Sequence, residues 1–225
     1  MSFRRWAALA AFFLALTAGP TAAEDLFYSK KSGNDVSSFS VRIDKTVTGY
    51  TLTAGTVTDG RFFIEVSMKT DEHLATREWA YVDPKEKIDL KAVRTGNRIE
   101  LQGTSKGRTV KKTYTIDGKP WLQYFPFGLE EFAVSRATYI EYWALSPDLL
   151  ECALMSATKT CIEKITSLGR EQSAVKTRIS LAGALSVFWG ADFWLSAENG
   201  HYLKFLGTNG PGTPETTIEL IGRRA

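Results

Sequence analysis

The sequence predicts a mainly β protein: a strongly curved antiparallel meander, a half-barrel or open barrel, with one or two short helices. Three observations carry this reading. Apolar and polar residues alternate with a period of two along almost the whole chain after residue 36. Turn-forming pairs punctuate the alternation at short intervals. No segment sustains a helical period. Roughly a dozen strands are more than a flat sheet carries, so the sheet must curl.

The elements follow in order. Tyr50, Leu52 and Ala54 alternate with Thr51 and Thr53. In 61–70, Phe62, Ile64, Val66 and Met68 share one face, and Phe63, Glu65, Ser67 and Lys69 the other. Asp59-Gly60 between these strands is a hairpin turn. Thr95-Gly96-Asn97 separates strands 90–94 and 98–102, and 103–107 leads into strand 108–116. Later strands are expected at 139–145, 151–156, 161–166, 174–181, 193–198, 201–206 and 216–222. Asn199-Gly200 is the clearest hairpin signal of all. Short helices are expected at 129–136 and around 73–79. Asp117 to Phe127 breaks the strand pattern with two prolines and a glycine. Its Trp and Phe content is unlike a linker, so it is expected to cross one continuous sheet.

The first residues predict export. Arg4-Arg5 supplies a positive start and Trp6–Ala18 an uncharged apolar run. That run is shorter than the roughly 20 residues needed to span a bilayer. Gly19-Pro20 breaks it, and Thr21-Ala22-Ala23 offers small residues for cleavage after Ala23. Residues 1–23 are thus expected to be a signal peptide and 24–225 one β-rich domain in the periplasm. The net charge of +3 falls to about +1 without Arg4 and Arg5, giving no electrostatic case for nucleic acid.

Cys152 and Cys161 are the only cysteines. Ser156-Ala157-Thr158-Lys159 between them reads as a turn, so a hairpin would set them on facing strands. A disulfide is expected in an oxidising compartment, worth roughly 2.7 kcal/mol in the chain-entropy model. Free thiols are the alternative.

Catalytic motifs are not recognisable. Gly103-Thr104-Ser105-Lys106-Gly107 matches GxSxG literally, but a nucleophile elbow needs a helix next, and 108–116 alternates like a strand. His73 and His201 lack partners at metal-ligand spacing. His201 follows a turn and is expected to be exposed. Asp71-Glu72-His73 reads as a polar loop, and no metal or cofactor is expected. What stands out is aromatic content. Trp121, Phe125, Trp143, Phe188, Trp189, Phe193 and Trp194 are candidates for lining an apolar cavity, with ordinary core as the alternative. The doublets Phe188-Trp189 and Phe193-Trp194 put rings on both faces of a strand.

The C-terminal half carries a resemblance. Val175-Lys176-Thr177-Arg178-Ile179-Ser180-Leu181 leads to Gly183, Phe188-Trp189 and Asp192-Phe193-Trp194, then to Gly200, Tyr202-Leu203-Lys204-Phe205 and Gly210-Pro211-Gly212-Thr213-Pro214. Over 120–222 this is similar to a group of uncharacterised secreted bacterial β-rich proteins. That group resembles, in architecture alone, periplasmic carriers of lipids and lipoproteins of the LolA and LppX type. The resemblance implies a curved antiparallel sheet with helices or loops on its concave face, and it supplies no catalytic residues. The expected function is a periplasmic carrier of a lipid-like apolar ligand without catalysis. The alternatives are an envelope scaffold or assembly factor acting through a surface, with peripheral envelope contact, and a hydrolase with a dispersed site.

Overall fold

The computed structural model describes residues 23–58, 61–208 and 213–224. The expected export signal up to residue 22, the Asp59-Gly60 turn and residues 209–212 of the last loop lie outside the described residues. The first half of the chain forms β1 (Ala23–Ser32), β2 (Asp35–Thr46), β3 (Gly49–Thr58), β4 (Arg61–Thr70), β5 (Thr76–Asp83), β6 (Ile88–Thr95), β7 (Arg98–Ser105) and β8 (Arg108–Thr115). Two short helices follow, α1 (Phe125–Gly128) and α2 (Glu130–Val134). The second half forms β9 (Tyr139–Ser146), β10 (Glu151–Ser167), β11 (Arg170–Leu181), β12 (Gly190–Ser196), β13 (Tyr202–Thr208) and β14 (Glu215–Arg224).

All these strands belong to one antiparallel sheet, in the order β8 to β1, then β14 to β9. Each half is a meander, and the two join where β1 pairs with β14, Tyr28 opposite Leu220 and Lys30 opposite Ile218. The sheet curls but does not close. At the seam, the Tyr114 hydroxyl and the Lys112 ammonium both donate to the Leu150 carbonyl, with no ladder between β8 and β9.

The segment between β8 and β9 crosses the concave side, as expected of an aromatic stretch. Trp121 bridges Trp143 in parallel register. The Leu122 N–H donates to the Trp143 carbonyl at 2.9 Å, and the Trp143 N–H to the Pro120 carbonyl at 2.8 Å. The Thr76 N–H donates to the Trp121 carbonyl at 2.7 Å. The open edge of β9 is thereby partly paired, which blunts its capacity to recruit another strand.

The core has two lobes. The larger gathers Leu26, Tyr28, Val41, Leu52, Phe132, Ile179 and Phe193 against the crossing segment. The smaller packs Trp79, Leu90, Ile99, Leu101 and Leu145 around Trp121. The literal GxSxG is a hairpin: Ser105 ends β7, and Lys106-Gly107 turns with φ of 52° and 75°. Positive φ at both central residues matches the twist of a two-residue hairpin. Gly103 lies within β7 at φ 141°, where a Cβ would stand 2.0 Å from the Asp89 carbonyl oxygen. Only glycine fits there.

Three local expectations are corrected. Residues 73–79 form a tight turn and the start of β5, not a helix. The Asp71 carboxylate accepts the N–H groups of His73 and Ala75, and Leu74 takes a positive φ. The strands expected at 151–156 and 161–166 are one strand, β10, running through the expected turn. Ala157 is fully buried and pairs with Ile179 and Ile140, so burial overrides the weak turn preference of its neighbours. The disulfide therefore fails: Cys152 and Cys161 lie on the same strand and are free thiols. Nine residues of strand at about 3.3 Å each separate them by roughly 30 Å, beyond the reach of an S–S bond. Burial pushes the Cys152 thiol up to about 11, whereas Cys161 is exposed. Reductant should leave the thermal midpoint unchanged, and a thiol reagent at neutral pH should modify Cys161 before Cys152, as read by peptide mass mapping.

Candidate ligand-binding cavity

The inward positions of the central strands line an open cavity of about 300 Å³. Alternation supplies its walls. Phe39 comes from β2, Ala54 and Thr56 from β3, Ile64 and Val66 from β4, Phe193 from β12, Tyr202 and Phe205 from β13, and Ile218 from β14. Gln123, Tyr124 and Pro126 of the crossing segment cover it from the concave side, and Lys30 of β1 borders it. The aromatic wall is continuous. Tyr28 stacks on Phe39 at 5.0 Å and meets Tyr202 at 5.1 Å, while Phe193 meets Tyr202 at 5.8 Å and Phe205 edge-on at 4.9 Å. Such offset and edge-on contacts hold the rings in place.

Few polar groups face this space. Gln123 is fixed: its Oε1 accepts from Trp121 Nε1 and the Leu145 N–H, and its Nε2 donates to the Leu145 carbonyl, all at 2.8 Å. The phenols of Tyr124 and Tyr202 form no hydrogen bond with the described residues. Burial pushes both, and that of Tyr28, far above the ordinary phenol range, so all three remain neutral. Among the described residues the lining holds no His, Cys, Asp or Glu. Its chemistry is van der Waals contact with an apolar body, plus a small number of hydrogen-bond donors.

The sequence-predicted residues divide. Phe193 lines the cavity. Trp121 is fully buried in the smaller lobe, and Trp143 packs against that lobe while its Nε1 donates to Asp117 at 2.8 Å. Trp189 packs against the larger lobe and donates to the Thr208 carbonyl at 3.0 Å. Trp194 faces away from Phe193, beneath the Lys176 and Lys204 ammonium groups, and donates to Glu163. Phe188 is 68% exposed. The Phe125 side chain lies outside the described residues. Sequence reasoning did not place Phe39, Ala54, Ile64, Ile218 or Lys30 at this site. One signal was present: Leu26, Tyr28 and Lys30 share one phase of β1, so a lysine stands in an apolar series.

A second polar cluster lies at the opposite end of the sheet, where α2 packs on the β12–β13 turn. Gly200, at φ 81°, would bring a Cβ to 2.3 Å from the Glu130 carbonyl oxygen, which fixes a close approach. His201, expected to be exposed, has a side chain only 17% exposed. Its Nδ1 lies 3.2 Å from Glu130, its Nε2 3.9 Å from Glu24, and Arg223 closes on Glu24. The hydrogen bond to Glu130 raises the His201 pKa from 6.5 despite partial burial. Burial raises that of Glu130 from 4.5, outweighing the histidine. Both shifts mean that the folded protein holds its protons more tightly than the unfolded chain. This contribution is present at acid pH and is lost as pH rises through the raised values of the coupled pair. His201→Gln should flatten the decline of the thermal midpoint above pH 6.5, measured by calorimetry across neutral pH.

No family model matches the sequence, and no curated protein matches it. Among solved structures, the chain is similar to a β-barrel-like protein of the domain of unknown function DUF1849 from Brucella abortus. The TM-score is 0.60 at 9% identity, over 89% of this chain and 96% of that one. A hypothetical lipoprotein, YmcC, from Escherichia coli matches at a TM-score of 0.40 and 10% identity, over 88% of this chain and 86% of that one. The first likeness establishes a shared β-barrel-like fold, and a fold alone carries no function.

Proposed function

We propose that this chain is a periplasmic binding protein that carries one apolar, lipid-like ligand in the concave cavity. The observation that carries the reading is the cavity itself: about 300 Å³, walled by Phe39, Phe193, Tyr202 and Phe205, with no carboxylate, imidazole or thiol among the described lining residues. That volume lies at the lower end of the roughly 300–1,000 Å³ range of small-molecule sites. The export signal expected at 1–23 supports the compartment. Native mass spectrometry of protein purified from a periplasmic extract, with solvent extraction of any adduct, tests the proposal. A stoichiometric apolar adduct is the predicted result. An apo mass that stays unchanged after exposure to envelope lipids would contradict it.

One observation favours a second reading, an envelope factor acting through a surface. Leu185, Val187 and Phe188 stand exposed on the loop between β11 and β12. Clustered exposed apolar side chains mark contact sites. The apo outcome above would transfer the function to this loop.

A further inference from the structure

We propose that the cavity takes an anionic single-chain amphiphile, with Lys30 as its counter-charge. The inference rests on the binding reading above and adds the class of ligand. On β1 the inward phase runs Leu26, Tyr28, Lys30, and the first two are almost fully buried. Lys30 thus points its stem along the cavity rather than out from the convex face. Its cross-strand neighbours are Ser37 on β2 and Ile218 on β14. Neither carries charge, and the described residues of the cavity lining include no carboxylate. Among the described residues Lys30 has no ion pair.

An ammonium at the border of an apolar space is placed to meet the charged end of an amphiphile whose chain lies inside. A bound anionic head would supply charge-assisted hydrogen bonds at that position. The Tyr124 and Tyr202 phenols, without partners among the described residues, are further donors on the same cavity. The volume favours one chain: about 300 Å³ is the low limit for a small-molecule site. A fatty carboxylate and a single-chain phosphate share the required chemistry.

The test is calorimetric titration of the delipidated protein with dodecanoate, dodecyl phosphate and uncharged dodecanol. The wild type should bind the better anion roughly tenfold to a hundredfold tighter than dodecanol, the effect of a hydrogen bond to a charged group. The tighter of the two anions names the head. Lys30→Met should abolish the preference for the anion over dodecanol, and Lys30→Arg should retain it. Equal affinities for anion and alcohol in the wild type, or a preference that survives Lys30→Met, would overturn the inference while leaving the binding reading intact. If none of the three ligands binds, the binding reading itself fails and the inference with it.

Discussion

Trp121→Ala should lower stability by about 3–5 kcal/mol, the cost of emptying a large aromatic site in a packed core. Trp121 is fully buried at the centre of the smaller lobe. Its backbone bridges β9 through Trp143 and reaches the start of β5 through Thr76. Its Nε1 is one of the two donors that orient the Gln123 carboxamide. Truncation therefore leaves a cavity and also leaves the half-buried Gln123 amide oxygen with one donor instead of two, and the two costs act together. The crossing segment carries Tyr124 and Pro126 into the ligand cavity, so ligand affinity should fall with stability. Urea unfolding checks the stability loss: the midpoint should drop with an unchanged slope. A loss below about 1 kcal/mol would mean that the segment is not anchored through this ring.

Ala54→Phe should remove ligand binding, by more than a hundredfold in affinity, without unfolding the protein. Ala54 lies on β3 between Val41 and Val66 in register and lines the cavity. A ring at this position would occupy the space proposed for the ligand. Ordinary core offers no such space, and adding bulk there costs about 1–3 kcal/mol. A cavity behaves differently, because the new ring gains contacts that the empty wall lacks. The predicted result is thus stability equal to or above wild type, combined with loss of the co-purifying adduct. Destabilisation of the size expected for overpacking would indicate that this region is solid core.

The β class and the meander were legible because side-chain alternation is local and strand burial is one-sided. The Asn199-Gly200 connection follows from residue type alone, whereas the loop expected at 103–107 shrinks to Lys106-Gly107, because Gly103 to Ser105 stay in the β7 ladder. The pairing of Tyr28 with Leu220 was not legible: it joins distant parts of the chain, and no local rule specifies it. Residues 156–159 read as a turn on propensity, yet Ala157 is buried between two partner strands and the chain runs straight. That single misreading also produced the false disulfide. The candidate site was half legible for a related reason. Ring content marks where bulk is, so Phe193 was found. It does not mark where bulk is missing, and the cavity exists at Ala54, Gly55 and Thr56, where small residues stand opposite the rings. Trp121, Trp143 and Trp194 each use the indole N–H on a partner in the protein, which is the behaviour of structural tryptophans.

The most direct test of a ligand in the concave cavity is a crystal of the protein grown with terminally brominated dodecanoate. Bromine scatters anomalously, so its position is read without interpretation of weak density. One strong bromine peak is expected on the concave side of the sheet, among Phe39, Phe193 and Tyr124. Bromine found only on the outer surface near Val187 and Phe188, with the cavity unchanged, would contradict it.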